Sequence, residues 1–109
     1  MNAKDYLKQI KKIDTQLKNK AFELKQLSDL GVSTADIRTD IAKLQTDKAK
    51  IIDVIEQLPE AEYDVLHKVY VQYKSLYEVA DERDISYSLA TSIHGRALKL
   101  IEPTINAAQ

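Results

Sequence analysis

From Ile85 to Ile101 the chain carries no Asp or Glu, yet it holds Ser86, Tyr87, Ser88, Thr91, Ser92, Arg96 and Lys99. Serine and threonine hydroxyls both donate and accept hydrogen bonds, and they suit phosphate oxygens or base edges. Tyr87 reaches a phosphate or a thymine methyl, and Arg96 has the fork geometry that clamps a phosphate. With Ala90, Ile93, Ala97, Leu100 and Ile101 turned inward at helical spacing, these seven residues and Gly95 form the outward set. Small polar residues also serve as plain solvated surface, and residue type alone leaves both uses open. Gly95 inside a helix costs about 1 kcal/mol against Ala. Close approach of its backbone to DNA or to another helix would give it a reason.

Other chemistry is sparse. The chain has no cysteine, which removes disulfides, thiol catalysis and thiolate metal sites. His67 and His94 are the two histidines and have no second ligand at metal spacing, so neither metal nor cofactor is expected. The carboxylate pairs Glu60/Glu62 and Asp81/Glu82 fall near helix ends or on polar faces. There is no glycine-rich phosphate loop or nucleophile elbow, and no enzyme is expected. Tyr70 and Tyr73 could stack single-stranded bases, but at this spacing core packing is the better expectation.

Charge bounds the partners. There are 16 Lys and Arg against 17 Asp and Glu, unlike the strongly basic footprint of many nucleic-acid binders. Residues 1–57 hold 11 basic and 9 acidic side chains, whereas residues 58–101 hold 5 and 7. Lys4, Lys8, Lys11 and Lys12 crowd the start of the first helix, where a charge run is ordinarily a solvated face. No apolar run approaches membrane-span length and the N-terminus has no signal-peptide core. A cytoplasmic protein without a membrane partner is expected.

The elements that must position these residues are helical throughout, so the fold class is all-α. Residues 1–57 contain one glycine and no proline, with apolar residues at three- and four-residue steps. One seam runs through Tyr6, Ile10, Ile13, Leu17, Lys20, Leu24 and Leu27. The other runs through Ile37, Ile41, Leu44, Lys48, Ile51, Ile55 and Leu58. Gly31 stops the first helix, and Ser33 with Asp36 resembles a capping box for the second. The reading is an antiparallel coiled-coil hairpin. With its turn centred near Thr34, Leu27 faces Ile41, Leu24 faces Leu44, Ile13 faces Ile55, and Lys20 faces Lys48.

Pro59 opens the second half, with Glu60 and Glu62 favoured at a helix N-terminus. Tyr63, Leu66, Val69, Tyr70 and Tyr73 follow at helical spacing. Ser75 caps a short helix carrying Leu76, Val79 and Ala80. Asp84 and Ile85 make a corner, and Ser86 caps a last helix that Pro103 is expected to end. Ala80 suits the crossing of the two helices, and Ile85 suits a plug beneath the corner. Two capped helices joined this tightly have the pattern of a helix-turn-helix.

The segment "LPEAEYDVLHKVYVQYKSLYEVADERDISYSLATSIHGRALKLI", residues 58–101, resembles region 4 of bacterial sigma factors. It is closer to the small sigma-like regulators of phages, the RinA and ArpU type. The resemblance rests on Leu58-Pro59-Glu60, Val65-Leu66, Tyr70, Ser75-Leu76, Glu78-Val79-Ala80, Ile85-Ser86, Ile93 and His94 to Leu98. Arg83 and Asp84 depart from it, standing where such corners usually have an apolar residue and glycine. It implies a coiled hairpin over 1–57, a three-helix helix-turn-helix domain over 58–102 and a tail over 103–109. It further implies a regulator that binds double-stranded DNA, with host RNA polymerase and a second copy joined through the hairpin as further partners. The near-balanced charge keeps a second expectation open, a helical adaptor that binds RNA polymerase, a sigma factor or another protein.

Overall fold

The structure, a computed structural model, describes residues 1–108. They form five α-helices, α1 (Ala3–Asp29), α2 (Ala35–Glu56), α3 (Glu60–Leu66), α4 (Leu76–Arg83) and α5 (Tyr87–Ala108), with a π-helical turn at His67–Val71. The all-α expectation holds among the described residues.

Helix α1 starts where the Asn2 side chain accepts from the Asp5 N–H at 2.8 Å. It stops at Gly31, whose φ of 71° is open to glycine without strain. The Val32 N–H donates to the Leu27 carbonyl and the Gly31 N–H to that of Ser28, the paired bonds of a Schellman ending. Ser33 is not the cap of α2. Thr34 holds that place, without a side-chain capping bond.

Helices α1 and α2 run side by side in opposite directions, but not in the expected register. The connection spans Leu30–Thr34 and is centred on Val32 rather than Thr34, which slides every pairing by about one helical turn. Lys20 and Lys48 therefore do not face each other. Lys20 Nζ lies 3.3 Å from Asp40, and Lys48 Nζ lies 2.7 Å from Asp14.

The main core joins the two halves of the chain. Ala3, Leu7, Ile10 and Ile13 of α1 pack with Ile51 and Ile55 of α2, Leu66 and Tyr70, and Ala97, Ile101 and Ile105 of α5. Beyond Ile13, α1 contributes no buried residue. The far ends of α1 and α2 thus project from the body, and the described chain measures 54 × 33 × 20 Å overall.

Two expectations about α5 are corrected. Pro103 does not end the helix, which continues to Ala108, so residues 103–108 are not a tail and Gln109 lies outside the described residues. Proline removes one N–H, leaving the Lys99 carbonyl without its usual donor, and costs about 3 kcal/mol in a helix interior. Lys99 is exposed, so water can serve that carbonyl. Ile101 and Ile105, 2% and 1% exposed, offset the cost with their burial. Leu100, expected inward, is 48% exposed.

Candidate functional site

The segment that positions α5 is fixed by local hydrogen bonds. Ser75 and Glu78 form a full capping box at the start of α4. At its end the Ile85 N–H donates to the Ala80 carbonyl and the Asp84 N–H to that of Asp81. This is a second Schellman ending, with Asp84 at φ 56° in the glycine-favoured place. Ile85 then packs against Val65, Val79 and Ile93 under the corner, and Ala80 is 5% exposed. The Leu89 N–H donates to Ser86 Oγ at 3.0 Å, which starts α5.

Arg83, which departs from the resemblance, ties the corner to α3. Its side chain is 21% exposed and reaches back to α3, with Nη1 2.8 Å from Asp64 and 3.0 Å from Glu60. The hydrogen bonds it donates to Glu60 and Asp64 raise the guanidinium pKa further. For Asp64, burial opposes ionisation, but bonds from Arg83 and Lys68 outweigh it and hold the carboxyl below its ordinary value.

All seven residues expected at the site are exposed. They divide into different roles. Ser88, Ser92, Gly95 and Lys99 follow one stripe along the crest of α5. Ser86 is occupied as the cap, and the Thr91 hydroxyl donates to the Tyr87 carbonyl at 3.0 Å. Tyr87 stacks on Tyr77 of α4, with centroids 4.1 Å apart and planes 11° apart. Arg96 turns to the α3 side, where Nε lies 2.7 Å from the buried Glu62. A Cβ on Gly95 would meet nothing within 4 Å, so no neighbouring helix accounts for this glycine.

A second grouping has no signal in any local stretch of sequence. His94 lies next to Thr91 on the flank of α5, and its Nε2 shares a 2.8 Å hydrogen bond with the Tyr70 hydroxyl. The rings stack at 5.7 Å with planes 16° apart. Burial, with the charge of Lys4 behind it, lowers the His94 pKa, while burial pushes the Tyr70 hydroxyl up to about 12. Tyr73 is not part of a helical stripe. It closes the π-helical turn at φ 59° and donates its hydroxyl to Asp14. Lysines 4, 8 and 11 of α1, Tyr70 and His94 border an open cleft of about 490 Å³.

Among the described residues no three His, Asp or Glu side chains group as a metal site would require. None of the helices is long and apolar enough to cross a membrane. Comparison with known proteins gave no match, whether to a family model, a curated protein or a solved structure.

Proposed function

We propose that the chain is a sequence-specific DNA-binding transcriptional regulator of phage type, acting in the host cytoplasm, with α4 and α5 as its helix-turn-helix. The carrying observation is the acid-free crest of α5, with Ser88, Ser92 and Lys99 exposed and Gly95 half-buried among them, held at a corner with a capped helix on each side. In this reading the N-terminal turns of α5 enter the major groove. Ser88 and Ser92 are the open hydroxyls for base edges, and Tyr87 and Thr91 sit beside them. Gly95 lets backbone come close. Arg96 contributes to phosphate binding by releasing or sharing Glu62. Residues 1–57 form a coiled hairpin whose base packs on α5 and whose far end, beyond Ile13, supplies the contact to a second copy or to RNA polymerase.

The test is selection from random duplexes with the purified chain, followed by titration of the enriched sequence at two salt concentrations. A regulator enriches a defined sequence, with affinity falling as salt rises. Ser92→Ala then changes which sequences are preferred, and Arg96→Ala weakens all of them alike. Selection that enriches nothing removes this reading.

A specific observation supports the protein-adaptor alternative. Phe22, Leu30 and Val32, near the projecting end of α1 and α2, are 64%, 74% and 51% exposed. Apolar side chains there suit a protein partner. None of the three belongs to the core that holds α5, so one chain has room for both contacts.

A further inference from the structure

Residues 58–101 contain five cations, and four of them are already engaged. Lys68 binds Asp64, Lys74 binds Glu82, Arg83 binds Glu60 and Asp64, and Arg96 binds Glu62. Among the described residues of that half, only Lys99 makes no ion pair. One free cation is little for a surface that must hold a duplex, whose affinity comes largely from neutralised phosphates.

The free charge lies elsewhere. Lys4, Lys8 and Lys11 make no ion pair among the described residues, and their spacing puts all three on one stripe of α1. The stripe works against the helix that carries it. Like charges one turn apart repel, and cations at a helix N-terminus oppose its dipole. The main core holds this end of α1 against α5, so the stripe forms one wall of the cleft whose other side carries His94. His94, Thr91 and Tyr87 share one flank of α5, so the cleft opens beside the surface proposed above. The carboxylate bordering the cleft is Glu78, which accepts from the Ser75 N–H in the capping box.

We propose that this cleft seats the phosphodiester backbone of the duplex that α5 reads, with Lys4, Lys8 and Lys11 as its cationic wall. The proposal rests on the DNA-binding reading and adds to it a second helix, remote in sequence, as the main source of affinity. The stripe covers roughly 10 Å of helix, about the length over which one strand presents three phosphates. Its lysines carry affinity and no sequence information.

The test compares the unmodified chain with Lys4→Gln/Lys8→Gln/Lys11→Gln, titrated with the selected duplex at 50 and 200 mM salt. The same charge change on the projecting part, Lys18→Gln/Lys25→Gln/Lys43→Gln, is the control. The cleft variant should bind tens of times more weakly at the lower salt, and the slope of log affinity against log salt should fall by two to three. Its ranking of sequences should be unchanged and its melting temperature no lower. The control should keep a slope within one of the unmodified chain. An unaltered slope in the cleft variant, or an equal loss in the control, overturns the cleft and leaves the α5 reading standing. An unmodified chain that binds no duplex overturns both.

Discussion

The guanidinium of Arg83 sits 2.8 Å from the Asp64 carboxylate, so the helix that ends at the corner is tied by charge to the helix behind it. Asp64 keeps Lys68 at 3.2 Å when Arg83 is removed, so Arg83→Ala does not strand a bare charge. The loss is then the ion pair plus the packing of the arginine stem, about 1–2 kcal/mol. Arg83→Met keeps most of the stem and should recover part of it. Urea denaturation midpoints measure both, and an unchanged midpoint in Arg83→Ala removes the clamp.

Lys48 and Lys20 should respond unequally to substitution. Asp14 is held by Lys48 and by the Tyr73 hydroxyl, and the Lys48 and Asp14 side chains are 27% and 28% exposed. Lys20 and Asp40 are 35% and 54% exposed. Lys48→Met should cost about 1 kcal/mol and Lys20→Met under about 0.5 kcal/mol. Thermal melts of the two single variants decide it. Equal stabilisation by both would return the two lysines to a shared apolar seam.

His94 gives the fold a pH dependence of known sign. Its folded pKa lies below the ordinary 6.5, so the unfolded chain takes up the proton first as pH falls. Stability from the neutral ring is complete above that value and is lost as pH drops below it. Asp14 and Asp64, both held low, add their loss only further down, below about pH 4. His94→Gln should flatten melting temperature as pH falls below about 6.5 while leaving the loss below about pH 4 in place. A slope identical in the variant assigns the effect to another group.

Gly95→Ala separates fold from contact. The added methyl meets open space, so the helix should gain up to about 1 kcal/mol. If the crest of α5 lies against DNA, the same methyl should weaken duplex binding. A variant that is more stable and binds equally well moves the contact to another face of α5.

Some of this protein was legible in its sequence because the forces involved act over a few residues. Gly31 ends a helix through its backbone freedom, and Ser75 with Glu78 starts one through two hydrogen bonds that span three positions. Asp84 in a left-handed corner and Ser86 as a cap follow from the same short-range rules. Helical periodicity likewise fixed which residues of α5 are exposed, and all seven at the expected site are. It failed at Leu100, which lies on the edge of the buried stripe, where the neighbouring element decides.

Tertiary structure decided whatever depends on what meets what. The register of α1 on α2 turned on where a five-residue connection is centred, and a two-residue error there moved Lys20 and Lys48 onto separate acids. Pro103 reads locally as a stop, yet Ile105 finds a core to fill and the helix continues past it. Arg96 looks free in the sequence, but Glu62, distant along the chain, takes up its Nε. The lysine stripe of α1 reads as a solvated face until packing brings Lys4 beside His94. Caps and turns are set by bonds between near neighbours, whereas registers, ion pairs and clefts depend on long-range contacts that only the packed chain provides.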